Sequence, residues 1–276
     1  MKFKLTLYYI FFVSPGLIFG QNYKVGYRLS FPADTLTPET KSHEDFLLFV
    51  AEKESIFLSN LKYVRDSVLR NAKNQGMAMA DLKRIFNNTP KGHFDFVLRK
   101  DNATSSYIYS EKISKSFTFE HPIANYRWKL SQNKKSIHGF DCRMAVLEIG
   151  GYNYLAWYAP EISLKNGPFL FEGLPGLVLE LECPSKNFIF SFLGIEKLKE
   201  GEYPIIEFSS AVHTNNLQKY NSLRNSWRRN YASNAANNGQ VSNGGSDPAS
   251  FNNFMKNIDD QKWEYYKANN FEFPLF

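Results

Sequence analysis

The sequence predicts a mainly β (α+β) fold: a curved antiparallel sheet, a bowl or half-barrel, with a few covering helices. Three observations predict it. Aromatic residues make up 16% of the chain, with 25 Phe and 16 Tyr, and such residues favour strands. From residue 93 to about 195, alternating apolar and polar runs recur between Gly-, Asn- and Pro-rich turns. Helical periodicity is confined to the flanks of that region, which leaves few crossover helices and favours antiparallel meanders.

The chain opens with a targeting segment. Lys2 and Lys4 precede an apolar run from Leu5 to Val13, Ser14-Pro15-Gly16 break it, and Gly20 offers a small residue for cleavage before Gln21. That is the pattern of a secretory signal peptide over residues 1–20. The apolar run is too short to span a bilayer, and no later stretch is long enough for a transmembrane segment in the mature chain. Residues 21–276 then read as one β-rich domain, in a periplasmic or secreted location. The formal charge of +6 is spread along the chain, with one cluster at Arg224, Arg228 and Arg229. No basic stripe with a recognisable module appears, which excludes nucleic acid as the expected partner.

Taken in order, "NYKVGYRLSF" (22–31) is a first strand and "PADTLTPET" (32–40) a loop. Residues 45–60 read as a hairpin around "AEKE". "LKYVRDSVLRNA" (61–72) has helical period, with Leu61, Val64, Val68 and Leu69 on one face, and a second short helix fits 78–86. In "HFDFVLRK" (93–100), Phe94, Phe96 and Leu98 alternate with Asp95 and Arg99. "YIYSEKIS" and "FTFEHP" continue the meander. "YRWKL" (126–130) reads as a short strand and "SQNKKSIHG" (131–139) as a polar turn. "FDCRMAVLEI" and "YNYLAWYA" flank Gly150-Gly151, a strong hairpin signal because the two-residue turn needs positive φ. Beyond residue 200, helices fit 217–235 and 251–270, separated by a Gly/Asn/Ser-rich flexible loop at 237–250, and the chain ends on the apolar "FEFPLF".

"FEGLPGLVLELEC" (171–183) places two glycines and a proline within an apolar run. Leu177, Leu179, Leu181 and Cys183 alternate with Val178, Glu180 and Glu182, so a strand starts after Gly176. Leu174-Pro175-Gly176 is a tight bend, with Pro fixing φ and Gly allowing positive φ, and Gly173 permits close approach of the backbone. The motif Gly173, Leu174, Pro175, Gly176 is thus structural: it turns the chain.

These residues carry a resemblance. The chain resembles the GLPGLI family of secreted proteins from Gram-negative bacteria, with Gly173-Leu174-Pro175-Gly176-Leu177-Val178 in place of the name-giving motif. Asp66-Ser67, "GFDCRMA" (139–145), "AWYAPEI" (156–162) and "GPFLFEGLPGLVLEL" (167–181) agree in order. The resemblance implies secretion and a β-rich fold. It implies no reaction, since the family is of unknown function. Some relatives of this shape look like bowl-like modules attached to larger enzymes, which favours accessory binding.

Candidate chemistry is sparse. Cys142 and Cys183 are the two cysteines. In an oxidising compartment they either bond, closing a loop of about 42 residues worth roughly 4 kcal/mol, or remain buried thiols on neighbouring strands. Cys142 lies in a block shared with the family and Cys183 does not. Glu161 and Glu172 flank turns, where functional groups concentrate, and form one carboxylate pair suited to a hydrolase. Glu180 and Glu182, about 7 Å apart on one strand face, form another, although polar outward positions are ordinary on strands. There is no G-x-S-x-G motif. The histidines at 43, 93, 121, 138 and 213 are scattered, and Met77 with Met79 makes a poor copper(I) site, so no metal and no cofactor is expected. Tyr152, Tyr154 and Tyr158 alternate on one strand face with Trp157 opposite, the best binding candidate. The expected function is a non-catalytic binding or accessory module of the cell envelope, its partner an envelope protein, peptide or glycan. The alternatives are a hydrolase using carboxylates near Glu161 and Glu172, and an assembly factor that contacts a partner through its C-terminal segment.

Overall fold

The computed structural model describes residues 22–32, 39–112, 116–184, 187–206, 208, 212–237, 241–245 and 247–268. The expected leader, the tail "FEFPLF" and part of the 237–250 loop lie outside them. One mixed sheet of twelve strands organises the chain, in the order β12-β6-β5-β4-β3-β2-β1-β11-β10-β9-β8-β7. The strands are β1 (Tyr23–Pro32), β2 (Lys41–Val50), β3 (Glu54–Ser59), β4 (Phe96–Asp101), β5 (Ser106–Lys112), β6 (Ser116–Pro122), β7 (Lys129–Ile137), β8 (Phe140–Ile149), β9 (Tyr152–Ala159), β10 (Leu177–Cys183), β11 (Phe188–Lys197) and β12 (Val212–Thr214). Every pairing is antiparallel except that of β12 with β6. β1 is the seam: one meander runs outward from it through β2 to β6, the other through β11 to β7.

The sheet is open, since β12 and β7 do not pair, and it is curved. Residues 122 and 129 end β6 and begin β7, which stand ten strand spacings apart. Ten spacings would be roughly 48 Å across a flat sheet, whereas seven residue steps reach at most about 25 Å. The sheet must bend toward the side that this connection crosses. Ile123, Tyr126 and Trp128 of the connection pack on the main core, so that side is the concave one. Register shifts at Gly26/Tyr27, Val178/Glu180 and Leu130/Lys134 supply bulges that increase strand bend and twist.

The concave face carries the main core, including Tyr27, Phe46, Phe57, Phe96, Tyr154, Leu181 and Phe190. Two elements cover it. The segment 160–176 folds inward and buries Phe169, Leu170, Phe171 and Leu174. Helix α3 (Leu217–Arg229) lays Tyr220 against Tyr109 and Phe119, with ring centroids at 6.1 and 5.5 Å. On the outer face, Phe49, Ile56, Leu58 and Val97 form a smaller cluster beneath Tyr63 of helix α1 (Asn60–Asn74) and residues 198–206. Helices α2 (Met79–Asn88), α4 (Tyr231–Asn237) and α5 (Pro248–Ala268) complete the chain, and Asp259 of α5 accepts backbone N–H bonds from Ala232 and Ser233 at the start of α4.

Three local expectations need correction. Residues 129–137 form one strand rather than a strand and a turn. As the last strand of the sheet, β7 is largely solvated and carries polar residues, so alternation does not mark it; the turn is His138-Gly139, both at positive φ. The helix at 217–235 breaks at Asn230, whose backbone leaves helical geometry. On α1 half of the expected apolar ridge faces water, with Val64 and Val68 at 45% and 41% exposure, while Leu61 and Leu69 are half-buried. Arg65 is buried instead, bound to Asp95 at 2.6 Å with its guanidinium 5.5 Å from the Phe86 ring.

Candidate functional site

The Gly-Leu-Pro-Gly motif shapes the inward segment. Gly176 N–H donates to the Leu174 carbonyl at 2.8 Å, a three-residue γ-turn centred on Pro175 rather than a β-turn. Gly176 has φ +151°, and a Cβ there would sit 2.2 Å from the Ala159 carbonyl oxygen. The close backbone approach expected at Gly173 therefore occurs at Gly176. Gly173 has φ +88° with open space around it. The segment is bolted to β10 by Val178 N–H to the Asn166 carbonyl (3.0 Å) and Leu177 N–H to the Ile162 carbonyl (3.2 Å), and the Tyr27 hydroxyl of β1 holds the Val178 carbonyl (2.7 Å). Phe169 takes φ +55°, costly for an aromatic residue, and is held between Phe96 and Phe57.

A polar cluster lies where this segment meets the sheet. Lys100 of β4 is 1% exposed. Its Nζ donates to Asn166 Oδ1 at 2.9 Å and to Glu172 Oε2 at 2.5 Å. Its cross-strand neighbours are Ser55 and Tyr107, both buried, and the Ser55 hydroxyl reaches Asn166 Oδ1 at 3.4 Å. The Trp128 indole N–H holds the Glu172 carbonyl at 2.9 Å. Sequence reasoning missed Lys100, although a signal existed: it is the next residue in the inward series Phe94, Phe96, Leu98.

The two carboxylates of the hydrolase alternative have separate partners. Glu161 accepts the Asp141 backbone N–H at 3.0 Å and lines a groove of about 490 Å³ with Lys134, Lys135, Asp141, Cys142 and Arg143. Glu172 is bound to Lys100 on β4, on the far side of β1. Glu180 pairs with Lys135 at 2.5 Å.

The four aromatic candidates divide between the two faces. Tyr154 and Tyr158 are buried in the concave core, Tyr154 with its ring 4.7 Å from Phe171, and Tyr152 is half-buried on the same side. Burial raises the Tyr154 hydroxyl far above its usual range. Trp157 lies on the outer face with Lys135 Nζ 4.4 Å above its ring. Directly paired residues continue from it across the sheet: Met144, Trp157, Glu180, Ser191, Arg28 and Asp45 form one row over six strands. Arg28 and Asp45 close that row with two hydrogen bonds, at 2.8 and 3.0 Å.

Cys142 and Cys183 are not bridged. They lie on β8 and β10 with β9 between, and the pairings Arg143–Tyr158 and Glu182–Leu155 put them near opposite ends of β9. That is roughly 15 Å along the strand, beyond the reach of a disulfide. Burial pushes the Cys142 thiol up to about 11.

A second cleft, of about 310 Å³, lies at the β1–β2 end, lined by His43, Glu44, Asp45, Lys91 and His93. The Glu44 side chain is 2% exposed and accepts the His93 N–H at 2.6 Å. Burial raises its pKa, against the lowering effects of Ser59 and His93. Among the described residues no group of three or more His, Cys, Asp or Glu gathers to hold a metal ion, and no helix is long and apolar enough to cross a membrane.

A family model described as a protein of unknown function (Porph_ging) matches residues 151–180, which span β9, the inward segment and the first residues of β10. Comparison with curated proteins gives no match. Among solved structures, PNGF-II in a C2 space group aligns with a TM-score of 0.50 and 14% identity, over 75% of this chain and 33% of that one. PNGF-II in a P21 space group gives 0.49 and 13%, over 75% and 34%. The chain therefore spans about a third of the length of the PNGF-II chains it matches, and the first alignment shows a shared fold.

Proposed function

We propose that the chain is a secreted or periplasmic binding module of the cell envelope, non-catalytic, a GLPGLI-type β-rich unit released from its leader near Gly20. It binds a glycan or peptide through the outer face around Trp157. The observation that carries this reading is that the concave face is filled by the chain's own segment 160–176, with Phe169, Phe171 and Leu174 buried there. A substrate cleft on that side would require the segment to leave, at the cost of re-exposing a large aromatic surface. The outer face over β7–β11 keeps a half-buried Trp beside paired charges and a hydroxyl, a combination that suits stacking and hydrogen bonding to a sugar or an extended peptide. The fold shared with a third of PNGF-II supports a role as one part of a larger apparatus.

The test is calorimetric titration of the mature chain with peptidoglycan fragments, an N-linked glycopeptide and an acidic decapeptide. One of these binds, Trp157→Ala weakens it at least tenfold, and Tyr154→Phe leaves it unchanged. Binding insensitive to Trp157→Ala, no binding of any probe, or turnover of a probe that is lost in Glu161→Gln would overturn the reading.

A further inference from the structure

A lysine removed from water almost completely demands an explanation, and three groups converge on Lys100 in an arrangement that can react. We propose that Lys100 and Asn166 join in an intramolecular isopeptide bond, with Glu172 as the proton-transferring catalytic residue. The nucleophile, Lys100 Nζ, lies within hydrogen-bond distance of both the Asn166 carboxamide (2.9 Å) and the Glu172 carboxylate (2.5 Å). The buried Ser55 hydroxyl aims at the same carboxamide oxygen, at 3.4 Å, and can stabilise charge that develops there.

The reacting groups are held in place from several sides. The carbonyl of Asn166 is fixed by the Val178 N–H at 3.0 Å. Gly167, the next residue, is packed so closely that a Cβ would lie 2.2 Å from the Phe171 carbonyl oxygen. The carbonyl of Glu172 is held by the Trp128 indole at 2.9 Å. Lys100 is locked between Ser55 and Tyr107 in the sheet. Fixing nucleophile, electrophile and proton carrier side by side, with the lysine 1% exposed and Glu172 21% exposed, lowers the entropic barrier that ordinarily keeps lysine and asparagine unreactive.

The step balances without any added reagent. The Glu172 carboxylate takes a proton from the Lys100 ammonium, and the free amine attacks Cγ of Asn166. The Nζ–Cγ bond forms, and the Cγ–Nδ2 bond breaks as Glu172 returns its proton to the departing nitrogen. The second proton shed by Nζ leaves with it, so an ammonium ion departs and a neutral amide links the side chains. No oxidant, reductant or cofactor is consumed. The product replaces a buried ammonium by an amide and ties β4 covalently to the segment that fills the bowl.

The test is mass spectrometry of a proteolytic digest of the full wild-type chain, purified folded from a secreting host. The expected result is a branched peptide joining Lys100 to Asn166, lighter by one ammonia than its two parts. Glu172→Gln and Lys100→Arg should return the two peptides unjoined, and Asn166→Asp should form the same link with loss of water instead. Unjoined peptides from the folded wild-type chain would overturn the proposal whatever the variants do. A branch to Glu172, lighter by one water, would overturn the assignment to Asn166.

Discussion

Lys100 of β4 and Glu172 of the inward segment meet at 2.5 Å, with the lysine side chain almost wholly out of water. The contact is the one salt bridge among the described residues that ties segment 160–176 to the β2–β6 meander, and Asn166 of the same segment shares the lysine. Because the segment spans the seam between the two meanders, this buried pair couples them on the concave side.

Removing one partner of a buried pair leaves the other uncompensated. In an Asn166→Ala background, where no Lys100–Asn166 link can form, Lys100→Ala is expected to lower unfolding free energy by about 3–5 kcal/mol, measured by urea denaturation. In that same background the double variant Lys100→Met, Glu172→Met should recover most of the loss, since an apolar replacement of both partners is often nearly neutral.

The two motif glycines differ in their constraints, and so should their substitutions. Gly176→Ala meets both a disfavoured φ of +151° and the Ala159 carbonyl oxygen at 2.2 Å. It should cost more than about 3 kcal/mol or abolish folding. Gly173→Ala meets only φ +88° in open space, and should cost about 1–2 kcal/mol. Equal effects in thermal unfolding would contradict this reading of the corner.

Cys142 and Cys183 are both buried thiols at opposite ends of β9. Neither should react with iodoacetamide at pH 7 in the folded chain, and both should react in guanidinium. Masses before and after reduction should agree. Cys142, with its thiol pushed up to about 11, should resist alkylation even at pH 9.

Glu44 makes stability depend on pH in a stated direction. Its folded pKa is raised, chiefly by burial. The stability this group contributes is fully present below the ordinary glutamate range and is lost as pH rises through the folded pKa. Glu44→Gln, which cannot ionise, should therefore gain in melting temperature over wild type as pH goes from 4 to 7, by about 2–4 °C for each kcal/mol involved. A gap that stays constant or narrows with pH would refute the assignment.

Most of the sheet was legible because one face of many strands is buried, and half-buried strands alternate: Tyr107-Tyr109 of β5 and Phe188-Phe190-Phe192 of β11 are examples. β7 was not, because an edge strand solvated along its length has no apolar face to announce it; Leu130, its most apolar residue near the start, is 62% exposed. The hairpin at Gly150-Gly151 was legible from turn chemistry alone, with both residues at positive φ. The inward course of 160–176 was not, because Gly, Pro and Asn signal a turn without saying into which side it folds. Tyr154 and Tyr158 were correctly placed opposite Trp157, but only tertiary packing reveals that Phe171 covers one side and that the other remains open. Lys100 escaped notice because a single charged residue at the end of an alternating strand is ordinarily solvated, and its partners lie 66 and 72 positions further along.

The bowl is filled by its own chain, with Leu174 and Gly176 of the corner buried in it and Pro175 at the surface. Native-state hydrogen exchange at Gly176, Leu177 and Val178 tests it most directly, since their amides bond to Leu174, Ile162 and Asn166 within the segment. These amides should exchange only through global unfolding, as slowly as those of β1 and β11. Exchange through a separate low-energy opening, orders of magnitude faster than in β1, would show instead a segment that leaves the bowl and a concave face open to a ligand.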